Sequence, residues 1–354
     1  MLRILIIEDS SVVAMLLKVI FEQQPDMTVV GHAKNGRDGV QMAHDLKPDV
    51  ITMDIRMPVM DGFDATRLIM ADNPTPIVVI SSSVDNEELR ITFRAIEEGA
   101  LAVMEKPRGF SHPDFETIRR DLVDTVRAMA GVKVFRRQKI ERSSELDICQ
   151  SALTQGNNAY ELLAIGCSTG GPQVLQQIFS LLPAGFPVPV VVTQHISKGF
   201  IGGMVSWLAG NTLLDVKLAE QGETLKPGCI YFAPDDQHLL VVRNASGLAV
   251  QLTRDEPCNG FRPSASPMFK SIAQTCQGRA VGALLTGMGV DGADGLLMLR
   301  RAGSHTVVQD EKSAVVYGMP GAAIALDGVD QIVELDRMPA YFGSIVRMGG
   351  GWTA

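Results

Sequence analysis

The stretch LLAIGCSTGGPQVLQQIF, residues 162–179, decides how the second half of this chain folds. It opens on an unbroken apolar run, passes through a glycine-rich turn, and continues with apolar residues at helical spacing. That is the pattern of a strand buried on both faces, a sharp turn and an amphipathic helix. Strand, turn and helix in this order form half of a unit that builds parallel sheets. Downstream the alternation continues, with VPVVVTQH (188–195), CIYFAP (229–234), LLVVR (239–243), AVGALLTG (280–287) and HTVVQ (305–309) as strand candidates. Upstream it is anticipated by LRILII (2–7), TVVGHA (28–33), DVITMD (49–54), PIVVIS (76–81) and AVMEK (102–106). Both halves therefore read as α/β with a parallel sheet.

Between them lies a basic, polar stretch from Lys133 to Arg142, followed by SSELDICQSALTQGNN, which carries neither an apolar period nor turn-bounded strands. The expected organisation is one α/β domain over residues 1–130, a linker over 131–159 and a second α/β domain over 160–354. A chain of 354 residues with 46% hydrophobic content has enough apolar material for two cores. Its formal net charge of −8 gives no attraction to a phosphate backbone, so no nucleic-acid partner is expected. The N-terminus MLRILIIED turns acidic after a few apolar residues, unlike a signal peptide. No apolar run approaches the roughly 20 residues of a membrane helix, and the expected location is cytoplasmic. Cys149, Cys167, Cys229, Cys258 and Cys276 form no CxxC pair, and they read as reduced thiols.

In a doubly wound sheet, functional side chains collect beyond the C-terminal ends of the strands. In the first half those positions hold Glu8 and Asp9 after the first strand, Asp54 at the end of the third, Ser81 at the end of the fourth and Lys106 after the fifth. Carboxylates brought together repel, and a hard divalent cation with oxygen ligands, such as Mg2+, offsets that repulsion. Such an ion neutralises an incoming phosphoryl group, a lysine does so from the other side, and a hydroxyl hydrogen-bonds the product. Asp54 is then the nucleophile.

In the second half Gly166, Ser168 and Gly170 match GxSxG, a turn that exposes a serine hydroxyl while free amides at the helix start, that of Thr169 first, can hold an oxyanion. The competing reading is a serine that only caps its helix. A serine hydroxyl needs a base, and His195, ending VPVVVTQH, reaches the same rim from a neighbouring parallel strand. His32, His44 and His112 belong to the first half, His238 reads as mid-strand, and His305 as opening a strand at the opposite edge. A carboxylate must then orient the imidazole, and both Asp291 and Asp294 in TGMGVDGADG qualify by spacing. The same loop contains GxGxxG at Gly287, Gly289 and Gly292, with Asp310 about 20 residues on as a dinucleotide site requires. Against that reading, Asp291 would repel a pyrophosphate, and no strand and helix pair is expected to complete a mononucleotide half there.

The first half, most specifically MDIRMPVMDG (53–62), resembles the receiver domains of response regulators. The resemblance implies a flavodoxin-like doubly wound domain, with Asp54 as phosphoacceptor, Glu8, Asp9 and Asp54 as Mg2+ ligands, and Ser81 and Lys106 as the switch residues. It also implies a metal contact from the carbonyl of Arg56. Val103 stands where these domains generally carry Phe or Tyr. The second half, through GCSTGGP, TQHI, FAPDDQHL, FRPSAS, LLTGMGVDGADG and VVQDEKSAVVYGMP, is similar to the chemotaxis receptor methylesterases of the CheB family. That resemblance implies a doubly wound methylesterase domain with Ser168 as nucleophile, His195 as base and Asp291 rather than Asp294 as orienting acid, Met288 supporting them. It further implies hydrolysis of glutamate γ-methyl esters on methyl-accepting chemoreceptors, a related glutamine deamidation, a sensor histidine kinase of the chemotaxis type as phosphodonor, no cofactor for the esterase step, and membrane association only through the receptors. The unphosphorylated receiver is expected to cover the hydrolase rim. Two rival readings stand beside this one: a non-catalytic phospho-switch binding module, and a transcription factor, which the absence of a basic recognition helix disfavours.

Overall fold

A computed structural model describes residues 1–82, 86–109, 111–112, 114–132, 134 and 160–346. Most of the segment read as a linker, including the basic stretch and Cys149, lies outside the described residues. The chain divides into two compact units, Met1–Ile140 and Glu141–Ala354.

The first unit alternates β1 (Leu2–Ile7), α1 (Ser11–Glu22), β2 (Met27–Ala33), α2 (Gly36–Leu46), β3 (Val50–Asp54), α3 (Gly62–Asp72), β4 (Ile77–Ser81), α4 (Asn86–Glu97), β5 (Ala102–Glu105) and α5 (Phe115–Ala130). Its five strands pair in parallel in the order β2-β1-β3-β4-β5. β3 and β4 are buried at every position, which is why they read as continuous apolar runs. Helix starts are fixed locally: Ser10, Asn35 and Asp61 each cap a helix by accepting a backbone N–H three residues on. The last of these caps explains the second aspartate of MDIRMPVMDG, whose side chain ends the loop after β3 and starts α3.

The second unit runs β6 (Leu162–Cys167), α6 (Gly171–Leu181), β7 (Val190–Gln194), α7 (Ile201–Ala209), β8 (Asp215–Leu218), β9 (Cys229–Phe232), β10 (His238–Asn244), β11 (Gly247–Thr253), α8 (Ala265–Cys276), β12 (Ala280–Leu284), α9 (Ala293–Arg301), β13 (His305–Gln309), α10 (Gly318–Ala325), β14 (Gln331–Val333) and α11 (Met338–Ile345). Seven strands form a parallel sheet in the order β14-β13-β12-β6-β7-β9-β8, and β10 and β11 make a separate antiparallel hairpin. β6 lies at the centre with all six residues buried. Each of its larger apolar side chains is worth about 1.5–3 kcal/mol of burial, which anchors the turn that follows it. Among the described residues no helix is long and apolar enough to cross a membrane.

Three sequence expectations need correction. β8, β11 and β14 were not read as strands: β8 and β14 are short, β8 half-buried beyond an exposed first residue and β14 exposed except at its last residue, and β11 is buried only over its second to fourth residues. His238 opens β10 instead of lying within it, and His305 opens β13, which is covered by the true edge strand β14. The loop with GxGxxG does sit between a strand and a helix, in the unit β12, α9, β13. The dinucleotide reading therefore fails on the carboxylate in that loop alone.

Candidate functional site

Three adjacent strands of the second unit deliver the hydrolase candidates to one rim. β6 pairs with β7 so that Cys167 faces Gln194, and the residues that follow are Ser168 and His195. Backbone bonds fix the junction. The His195 N–H donates to the Cys167 carbonyl at 3.0 Å, and the Ser168 N–H donates to the Thr286 carbonyl beyond β12 at 3.0 Å. The Gln194 amide ties both residues, donating to the Ser168 carbonyl at 2.8 Å and to the His195 carbonyl at 2.7 Å. Gly170 adopts φ 81°, and a Cβ there would lie 2.6 Å from the Cβ of Val315, so only glycine completes this turn. The N–H of Thr169 meets no acceptor among the described residues, as an oxyanion donor requires. On the other side a Cβ on Gly287 would come within 2.8 Å of the Ser168 Cβ, which brings the backbone leading into Met288 against the serine.

Asp291, 1% exposed, is enclosed by donors. Its Oδ2 accepts from His195 Nε2 at 2.8 Å and from the Ala265 N–H at 2.7 Å. Its Oδ1 accepts from Ser264 Oγ at 2.5 Å and from Asn259 Nδ2 at 3.2 Å. Burial works to raise its pKa, but the His195 contact and the Ser264 and Ala265 donors outweigh it, holding the carboxyl well below the usual carboxylate range. Asp294 is engaged elsewhere, by Lys270 Nζ at 2.5 Å and by Ser266 Oγ. With Nε2 bonded to Asp291, His195 Nδ1 is buried and unpartnered. An ionised carboxylate accepts the Nε2 proton, so the lone pair resides on Nδ1. The face of the imidazole is covered by Phe261, whose ring stacks on it at 3.9 Å between centroids and 5° between planes.

In the first unit Lys106 joins the acidic residues. Its Nζ lies 2.9 Å from Glu8 Oε2 and 2.9 Å from Asp54 Oδ2. Burial, and then Asp54, push Glu8 up to about 7, with Lys106 pulling the other way. Burial opposes the charge of Lys106 too, but Asp54 and Glu8 hold its pKa above the ordinary lysine value. Glu8, Asp9 and Asp54 each offer a carboxylate oxygen within 4.8 Å of the others. Two of these carboxylates are buried, and one lysine is shared between them, so the donor set and its excess negative charge fit a hard divalent cation. Ser81 is buried at the end of β4, Arg56 is exposed, and Val103 is buried within β5.

Sequence reasoning passed over Gln194, Asn259, Phe261 and Ser264 as contacts of the site. The Asn259-Gly260 pair did signal a tight turn. Nothing local signalled that this turn meets Asp291, 32 residues away.

Both units match known families. Residues 163–342 match the CheB methylesterase family and residues 4–112 match the response regulator receiver domain. A protein-glutamate methylesterase/protein-glutamine glutaminase of Methanospirillum hungatei JF-1 is 44% identical over 92% of this chain and 93% of its own length. One from Nitrosospira multiformis is 41% identical over 99% of this chain and 98% of its own. The crystal structure of the Thermotoga maritima CheB methylesterase catalytic domain, 32% identical, covers 52% of this chain and 98% of that one with a TM-score of 0.52. The chain thus belongs to the CheB methylesterase family, with a response regulator receiver domain in its first half.

Proposed function

We propose that this chain is a protein-glutamate methylesterase and protein-glutamine glutaminase of a chemosensory pathway, with Ser168, His195 and Asp291 as catalytic residues and phosphorylation of Asp54 as its control. The observation that carries the reading is the His195 imidazole, bonded through Nε2 to the buried Asp291 and left with an unpartnered Nδ1 at the strand end beside Ser168. This is the reverse of the serine-protease template, where Nδ1 faces the carboxylate; the chemistry needs only that one nitrogen be held and the other be free.

His195 Nδ1 takes the proton of Ser168 Oγ as that oxygen attacks the γ-carbonyl of the ester. The tetrahedral oxyanion forms within reach of the Thr169 N–H, and Asp291 stabilises the imidazolium. Return of the proton to the leaving oxygen releases methanol and leaves an acyl-serine. His195 then removes a proton from water, which attacks the acyl group, regenerates the serine and yields glutamate. With a glutamine side chain the same steps release ammonia. The substrates are methyl-accepting chemoreceptors, and the phosphodonor is a sensor histidine kinase of the chemotaxis type.

In the receiver, Glu8, Asp9 and Asp54 would hold Mg2+, which when bound neutralises negative charge on the incoming phosphoryl group. Asp54 supplies the accepting oxygen, Lys106 a second positive charge and Ser81 a hydroxyl. The phospho-switch without catalysis is the weaker reading, because a structural imidazole has no need of a buried free nitrogen. Methanol release from membranes carrying methylated chemoreceptor tests the proposal: Ser168→Ala is expected to abolish it while Asp54 still accepts phosphate from a small phosphodonor. Undiminished release would overturn the assignment of Ser168.

A further inference from the structure

The His195–Asp291 pair is gripped from one side by a single tight turn, Cys258-Asn259-Gly260-Phe261. Cys258 and Phe261 exchange two backbone bonds, at 3.1 Å and 2.9 Å, across a two-residue loop. Asn259 and Gly260 both take positive φ, 54° and 82°, the requirement of a type I′ turn and the reason for the Asn-Gly pair. From this turn two side chains diverge onto the two members of the pair. Asn259 Nδ2 donates to Asp291 Oδ1 at 3.2 Å, and the Phe261 ring lies flat on the His195 imidazole at 3.9 Å.

The turn is anchored immediately afterwards. Arg262 bonds Asp236 Oδ1 through Nε at 2.9 Å and through Nη2 at 2.6 Å. Its third nitrogen, Nη1, donates to the carbonyls of Arg254 at 3.3 Å and Asp255 at 3.2 Å, which lead into the turn. Ser264, two residues further, is itself an Asp291 donor. Phe261 is 38% exposed, so its ring is not enclosed in the core; its ring contact is with the imidazole.

Resting on the hydrolase reading above, we infer that Phe261 is a positioning residue for His195, its stacked ring fixing the plane of the imidazole so that Nε2 stays on Asp291 while Nδ1 stays free at the strand end beside Ser168. A ring stacked face to face restricts rotation about the Cβ–Cγ bond, which is the motion that would redirect Nδ1 and break the Nε2 bond to Asp291. It also offers its negative π face to the imidazolium formed in each proton transfer. No contact with substrate is required for either effect.

The test uses the full-length phosphorylated protein and methyl-labelled chemoreceptor membranes, reading kcat, KM and the thermal unfolding midpoint together. Phe261→Leu keeps an apolar side chain and loses the flat ring. It is expected to lower kcat about tenfold, the scale of one lost aromatic pair, with KM within about twofold and the midpoint unchanged. Phe261→Tyr is expected to restore kcat to within about twofold of wild type. Arg262→Lys, which loosens the anchor without touching the ring, is expected to lower kcat by a smaller factor in the same direction. Wild-type kcat in Phe261→Leu, an equal loss in the Tyr and Leu variants, or a change confined to KM would overturn the inference. A fall in midpoint that accounts for the whole loss in Phe261→Leu, with Arg262→Lys fully active, would do the same. Ser168→Ala run alongside separates the outcomes: methanol release surviving there would remove the hydrolase reading itself, whatever Phe261 does.

Discussion

The rims of the two sheets are built alike, but the pKa values of Glu8 in one and Asp291 in the other are shifted in opposite directions. Each places buried carboxylate at or beyond the C-terminal ends of parallel strands. At the receiver rim Glu8 and Asp54 share one lysine, and burial with mutual repulsion pushes Glu8 up to about 7. At the hydrolase rim Asp291 has four donors to itself and is held well below the ordinary carboxylate range although it is as buried as Glu8. Burial is therefore not what separates them; the supply of donors is. On the proposed function, the receiver rim is completed by a cation and a phosphoryl group. The hydrolase rim holds its anion already solvated by protein, ready for the positive charge that the proposed mechanism develops on His195.

The sharpest way to break that comparison is to remove what each rim depends on. Asp54→Asn, or chelation of Mg2+ from the wild type, is expected to eliminate incorporation of phosphate from a small phosphodonor altogether, as followed by radiolabel, and with it any rise in methanol release. Phosphorylation that survives chelation would mean the acidic cluster needs no ion. Next in size, Asp291→Asn should reduce kcat on the order of 10⁴-fold, since the amide cannot fix the same tautomer or stabilise the imidazolium. Asp294→Asn, whose carboxylate serves Lys270 and Ser266, should stay within about twofold in the same methanol assay. Equal losses in the two variants would erase the distinction between them. The smallest effect is on stability. Because the pKa of Asp291 is lowered on folding, its stabilising contribution is complete above the unfolded-state value near 3.8 and is lost as pH falls below it towards the folded-state value. Denaturant midpoints of the wild type should therefore fall more steeply below about pH 4 than those of Asp291→Asn; parallel curves would contradict the lowered value.

What the sequence made legible follows from burial. β3, β4, β6 and β12 are enclosed on both faces, so their apolar runs are unbroken and the polar residue that ends each run stands out. That is how Asp54, Ser81 and Ser168 could be picked from residue order alone. β8 and β14 at the sheet margins are short and not enclosed on both faces, and they carry no such run. The choice between Asp291 and Asp294 rests on a resemblance, because three residues of spacing from a loop into the first turn of α9 carry no information about which side chain turns inward. The turn bearing Asn259 and Phe261 was equally opaque: its local chemistry is plain, but its contacts with Asp291 and His195 bridge 32 and 66 residues of chain. Receiver and esterase are both family matches, and Val103, buried in β5, leaves the receiver without the aromatic that its resemblance led one to expect there.

The central claim is that His195, held by Asp291, makes the oxygen of Ser168 nucleophilic. A fluorophosphonate that reacts only with an activated serine tests it directly, with the labelled peptide identified by mass spectrometry. One adduct, on Ser168, is expected in the wild type, with labelling lost in His195→Ala and slowed on the order of a thousandfold or more in Asp291→Asn. Labelling of another serine, or of Ser168 at an unchanged rate in His195→Ala, would contradict the account.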